Sequence, residues 1–324
     1  MRLVLGALVV FATFTWEHAT AQSAAQGQVY PVRPVRLVVP FPAGGPTDVL
    51  ARVLGQHMSE KWEQSVVIEN RPGAGSAVAA AAVARADPDG YTLLMAMDTT
   101  LVMNPLAMKT ITYKAEDFAP ISLAASNTSI LVVPANGAKT VEELIAKGRA
   151  NPGKLNYGAG IITTRLGAFL FSKLAGIKAV SVPYNGSAEV VRALLDGSID
   201  YAVDGIAPHL PHIRDGKLRA LAKLDSKPIE SLPDLEPLDK LAKMPELADI
   251  STWVGVVAPV GAPRNVIERV REAVVQATNN AEIRRKMAPL GITVTNSTPE
   301  EFAALIKSES KRWEPVVRES GFAN

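Results

Sequence analysis

The chain has 324 residues, 34 Lys plus Arg against 32 Asp plus Glu, and no cysteine; this exceeds what one core usually fills, so two domains are the first expectation. Balanced charge without a run of one sign excludes a basic face for nucleic acid or another polyanion. The absence of cysteine removes disulfides, thiolate nucleophiles, Cys-based metal sites and lipid attachment at an N-terminal cysteine.

The first residues, MRLVLGALVVFATFTWEHATAQ, carry one Arg, an apolar stretch from Leu3 to Trp16 and the A-x-A pattern Ala19-Thr20-Ala21. That is the pattern of a secretory signal spanning residues 1–21 and cleaved after Ala21. The apolar run is shorter than the roughly 20 residues a spanning helix needs, so the expectation is a soluble exported protein with residues 22–324 as the mature chain.

Beyond it, apolar β-branched runs predict strands at Val35–Pro40, Ser65–Glu69, Tyr91–Met97, Ser129–Val133, Leu155–Gly158, Ala179–Pro183, Ile199–Asp204, Leu218–Ala222 and Thr252–Ala258. Helical spacing predicts Thr47–Lys61, Ala77–Ala86, Val141–Arg149, Thr163–Leu174, Ala188–Leu195, Arg264–Thr278, Glu282–Ala288 and Pro299–Arg318. Ser187 is positioned to cap the helix that follows it, and Thr298-Pro299-Glu300-Glu301 reads as a capping box with Pro in the first turn. Alternation of strand and helix predicts an α/β protein with parallel sheets covered on both faces.

The motifs weigh against catalysis and cofactors. Gly44-Gly45-Pro46-Thr47 lacks the lysine and spacing of a P-loop. Gly73-Ala74-Gly75 and Gly158-Ala159-Gly160 approach the dinucleotide fingerprint, but Val78 and Thr163 stand where its third small residue belongs, so no cofactor is expected. His209 and His212 form an HxxH that could recruit Asp204 or Asp215 to a metal; the ordinary reading is a solvated pair near a chain turn, and no metal is expected. Ser308-Glu-Ser-Lys311 matches S-x-x-K without the S-D-N and K-T-G partners, and no G-x-S-x-G occurs.

What remains is a set of small polar groups at strand ends, where open α/β sheets take their ligands. They fall in Phe41–Asp48 (Phe41, Ala43, Gly44, Gly45, Thr47, Asp48), Asp98-Thr99-Thr100, Thr163-Thr164, Tyr184–Ser187 (Tyr184, Ser187) and Asp204. Gly44 and Gly45 permit close backbone approach, and Pro46 at a helix start leaves first-turn N–H groups for an anion.

The segments PVRPVRLVVPFPAGGPTDVLAR (31–52), VVIENRPGAGS (66–76), ARADPDGYTLL (84–94), DFAPISL (117–123), KLNYG (154–158), VPYNGSAEVVRALLDGSID (182–200), LPHIRDGKLRALA (210–222) and VVAPVGAPR (256–264) closely resemble the Bug/TctC family, the periplasmic substrate-binding proteins of tripartite tricarboxylate transporters. The resemblance runs through the mature chain in order. It implies a type II periplasmic-binding fold: two α/β lobes with a cleft between them and crossover hinge strands. Residues 22–127 plus 253–324 would form the first lobe and 128–252 the second.

It further implies a non-catalytic receptor for a small organic carboxylate, delivering it to membrane transporter subunits, with a monomer expected. The acid's proximal carboxylate would lie between the loop matching Phe41–Asp48 and that matching Tyr157–Thr164, which includes Gly160, with water bridging to backbone groups. Asp204 would face the distal part of the ligand. Two departures stand out. The segment GAGIITTRLGAFLF (158–171) is shorter than the family's usual Gly/Asn/Ser-rich loop and carries Ile161, Ile162 and Arg165 where small polar residues and a histidine are typical, which makes that wall more apolar. Asp98 replaces a small neutral residue, and like charges about 4 Å apart repel by roughly 4 kcal/mol at an effective dielectric near 20; either Asp98 points away or the ligand is no simple diacid at that end. Readings from other classes are a ligand-sensing subunit of a membrane signalling system and a secreted hydrolase.

Overall fold

The computed structural model describes residues 30–226, 228–229 and 231–322; the expected signal segment lies outside the described residues. The strands are β1 (Val35–Val39), β2 (Val66–Asn70), β3 (Thr92–Met97), β4 (Phe118–Asn127), β5 (Ser129–Pro134), β6 (Leu155–Ala159), β7 (Ala179–Pro183), β8 (Tyr201–Gly205), β9 (Leu218–Lys223), β10 (Thr252–Pro259) and β11 (Thr293–Val294). They form a six-stranded sheet in the order β11-β4-β10-β3-β1-β2 and a five-stranded sheet in the order β7-β6-β8-β5-β9.

The sheets are mixed, which corrects the expectation of parallel ones. β1 runs parallel to β2 and β3, and β6 parallel to β7 and β8, as βαβ crossovers require. β10 is antiparallel to β3 and β4, and β5 is antiparallel to β8 and β9. The reason is topological. β4 carries the chain out of the first sheet and β10 carries it back, side by side, and β5 and β9 do the same in the second sheet. Only Thr128 separates β4 from β5, so one residue connects the two sheets on the outward path.

Burial follows from composition. All six residues of β3 (TLLMAM) and all eight of β10 (TWVGVVAP) are buried, which places these apolar runs in the middle of the sheet. The helix Arg264–Asn279 buries Val266, Val270, Ala273, Val274 and Ala277, one face at helical spacing, against the same sheet. The helix Pro299–Ser320 starts as its sequence predicts: Thr298 Oγ1 accepts from the Glu301 N–H at 3.1 Å, and a Glu301 carboxylate oxygen accepts from the Thr298 N–H at 2.8 Å.

Besides the short helices Asn104–Ala107 and Leu238–Ala242, three elements escape the sequence reading. β4 contains Pro120 and the polar Ser122 and Ser126, and its ladder with β10 carries two register shifts, which mask a strand pattern. The helix Ile206–Arg214 contains Pro208 and Pro211, residues that argue against a helix interior. β11 is two residues long. Among the described residues, no helix is long and apolar enough to cross a membrane.

Candidate functional site

The loop after β1 is held by one carboxylate. Asp48, 1% exposed, accepts from the Gly44 N–H at 2.8 Å and Arg52 Nε at 2.9 Å on one oxygen, and from Asn70 Nδ2 at 2.8 Å on the other. Asn70 Nδ2 also donates to the Phe41 carbonyl at 3.1 Å. Burial pushes the Asp48 carboxyl up, but the hydrogen bonds from Arg52, Gly44 and Asn70 outweigh it and hold it below the ordinary carboxylate range. With its donors in place, Asp48 fastens the loop to β2. The backbone is left to meet a guest.

That backbone suits an anion. Gly44 has φ +84°, a left-handed conformation that favours glycine. Gly45 is the N-cap of the helix Pro46–Trp62, has φ −74°, and receives no capping side chain. The first-turn N–H groups of Thr47 and Asp48 have no carbonyl one turn back inside the helix, so together with the helix dipole they form a ready anion receiver. Ala43 and Gly44 are exposed, and Phe41, Gly45 and Thr47 half-buried.

At the end of β3, Asp98 is fully buried and accepts a hydrogen bond from Thr163 Oγ1, which opens the helix Ile162–Leu174 on the second sheet. This bond joins the two halves of the predicted cleft. Burial raises the Asp98 carboxyl to about 7, against the pull of Thr163 and of the Thr99 and Trp253 backbone N–H groups. Asp98 therefore does not project as a free charge toward a ligand, and the repulsion expected from sequence is met by burial and a partner. Thr100 Oγ1 donates to Ser76 Oγ at 2.9 Å and Thr164 Oγ1 to the Ile161 carbonyl at 3.1 Å. Thr99 Oγ1 is buried without a partner among the described residues.

The residues expected on the opposite wall lie at the ends of β6, β7 and β8. Gly160 lies so close to the next turn that a Cβ there would stand 2.6 Å from Ser187 N and 2.8 Å from Gly186 C. Its role is close approach of two backbones, a signal the fingerprint-like Gly158-Ala159-Gly160 carries in sequence. Tyr184, half-buried, covers Gly158. Ser187 does not cap its helix: Gly186 is the N-cap, without a side-chain bond, and Ser187 Oγ donates instead to Asp204 Oδ1 at 3.0 Å. Asp204 Oδ1 also accepts from the Gly205 N–H at 2.9 Å.

His209 corrects another expectation. It is not solvated but fully buried, on the helix Ile206–Arg214, with Nδ1 3.0 Å from the Gly205 carbonyl and Nε2 3.8 Å from Asp204 Oδ2. Sequence spacing offered that signal, since β8 delivers Asp204 and the next helical turn brings His209 back over it. Among the described residues, no group of three or more His, Asp or Glu is placed to hold a metal.

Arg165 turns away from the cleft: its Nε donates to Ser181 Oγ at 2.9 Å and its guanidinium lies 3.8 Å from the Phe322 ring centroid. The unusual arginine thus packs the second sheet's helix onto the C-terminal segment. A cavity of about 730 Å³ lies elsewhere, between the helix Ile206–Arg214 and residues 284–294, and none of the predicted site residues lines it.

The chain is similar in sequence and fold to known proteins. The family model for the tripartite tricarboxylate transporter family receptor matches residues 50–322. The chain belongs to this Bug/TctC family. BugT of Bordetella pertussis is 34% identical, with 94% of each chain covered. Among solved structures, MatC from Rhodopseudomonas palustris with bound malate has a TM-score of 0.76 at 29% identity, covering 89% of this chain and 100% of that one. A second R. palustris protein, solved with adipate, has a TM-score of 0.79 at 30% identity, covering 90% of this chain and 99% of that one. As a Bug/TctC protein, the chain has the two-lobed fold of periplasmic solute-binding proteins.

Proposed function

We propose that this Bug/TctC protein is an extracytoplasmic receptor that captures a small organic carboxylate between residues 22–127 plus 253–324 and residues 128–252, and delivers it to tripartite tricarboxylate transporter subunits in the membrane. The observation that carries the reading is the uncapped first turn of the helix Pro46–Trp62, together with the bond by which Thr163 reaches Asp98 at the end of β3. An acid's head meets N–H groups of Gly45, Thr47 and Asp48, directly or through water, while Thr164, Tyr184, Ser187 and Asp204 shape the far side. The malate and adipate held by the two R. palustris relatives support this ligand class. The chemistry is capture without bond making, the chain acts as a periplasmic monomer, and hinge motion about Thr128 gives the membrane partner something to read.

Gly45 provides a clean test. Its φ is ordinary and the nearest atom to an added Cβ is the Pro42 carbonyl at 3.5 Å, so Gly45→Val fills the anion's approach without straining the fold. Calorimetry across mono-, di- and tricarboxylates and aromatic acids should find a binder for the wild type, with at least a tenfold loss in Gly45→Val at unchanged Tm. Absence of any carboxylate binder, or equal affinity in both proteins, overturns the reading.

A further inference from the structure

The distal wall contains two buried acceptors facing each other with a proton unaccounted for. The Gly205 carbonyl can only accept, so the ring nitrogen 3.0 Å from it, His209 Nδ1, carries a hydrogen. Nε2 is then the basic nitrogen, and it points at Asp204 Oδ2, 3.8 Å away. Both atoms are buried, and neither has a hydrogen-bond partner among the described residues. Two bare acceptors in a dry site are costly, and one proton between them removes the cost once they approach by about 1 Å.

The other carboxylate oxygen fixes the next direction. The Gly205 N–H can only donate, so Asp204 Oδ1 is an acceptor, and the Ser187 hydroxyl 3.0 Å away must spend its one hydrogen on it. Half-buried Ser187 then has only lone pairs left for a guest. We propose that Asp204 and His209 hold one proton between Oδ2 and Nε2, and that this relay makes Ser187 an acceptor selecting ligands whose far end donates a hydrogen bond: a hydroxyl, an ammonium or a protonated carboxyl.

Electrostatics agree. Burial raises Asp204 and lowers His209, which draws their proton affinities together, and His212 adds a weaker lowering of His209. The charged residues of the elements packed on this helix are Glu189 and Arg192 on the helix Ser187–Leu195, Arg219 and Lys223 on β9, and Arg284 and Arg285 across the cavity; none is among the leading influences on either partner. The neutral pair also explains how a carboxylate cleft tolerates a buried aspartate in its wall.

The inference rests on the receptor reading for its ligand and on the relay alone for its directions, so two measurements separate them. Calorimetry compares 4-hydroxybutanoate and 4-aminobutanoate with succinate, and 6-hydroxyhexanoate with adipate, at pH 8 and pH 5. In the wild type, the hydroxy or amino acid should bind at least tenfold tighter than the diacid at pH 8. The gap should close toward pH 5 as the diacid's far carboxyl takes a proton, and Ser187→Ala should abolish it. Diacids binding as tightly at pH 8, or a preference that survives in Ser187→Ala, would overturn the proposal. In parallel, nitrogen-15 NMR of the full mature chain should show His209 protonated at Nδ1; a bare Nδ1 overturns the relay even if every acid fails to bind, an outcome that by itself sinks the receptor reading instead.

Discussion

In the proposed receptor, the two walls of the cleft would hold one guest with different material. The wall on the first sheet offers backbone: Asp48 is consumed by Gly44, Arg52 and Asn70, and what remains for a ligand is an uncapped helix turn. The wall on the second sheet offers side chains in a directed chain from His209 through Asp204 to Ser187. Main-chain donors accept any acid head and discriminate little, whereas a relay with assigned hydrogens reads what the far end carries. In that proposal, generic capture and selection thus fall to separate sheets.

The sharpest way to break the first wall is Asp48→Ala. It removes three hydrogen bonds, from the Gly44 N–H, Arg52 and Asn70, each worth about 1 kcal/mol, so urea unfolding should show a loss of about 3 kcal/mol, and carboxylate affinity should fall with it. Next comes the backbone contact on the second wall. In Gly160→Ala the added methyl meets backbone rather than a movable side chain, and a loss of about 2 kcal/mol is expected by the same measurement.

The bridge between the walls responds to pH. The Asp98 carboxyl is raised to about 7 from its ordinary 3.8, so the folded state holds its proton where the unfolded state has released it. That contribution is complete below about pH 4 and is lost as pH rises through 7, at a slope of up to about 1.4 kcal/mol per pH unit. Asp98→Asn, which keeps an acceptor for Thr163, should flatten the fall in Tm between pH 4 and 8. The smallest effect is the control: Ser310 donates to the Ile306 carbonyl along its own helix at 2.8 Å, and Ser310→Ala should change stability by less than about 0.5 kcal/mol and leave binding unchanged.

Much of the frame was readable from periodicity, because the runs around Leu37, Leu93 and Val256 have the apolar continuity that central strands require. Direction was not readable: nothing in the residues of β10 says that it returns beside β4. Prolines hid two elements, Pro120 in β4 and Pro208 with Pro211 in the helix that presents His209. At the site, sequence located the polar residues but not what they face. A serine before a helix reads as a cap whether its hydroxyl turns to the helix or to Asp204, and a buried aspartate reads like an exposed one until its donors are seen.

The position of β10 has a consequence for how the molecule comes into being. It lies between β4 and β3, yet it follows the entire second sheet along the polypeptide. A nascent chain growing from its amino terminus can assemble the five-stranded sheet from one continuous stretch, while the six-stranded one waits with an open seam until residues 252–259 emerge. Non-local pairing of this kind is slow to form, and a polypeptide that cannot finish its larger sheet early stays threadable through a translocation pore.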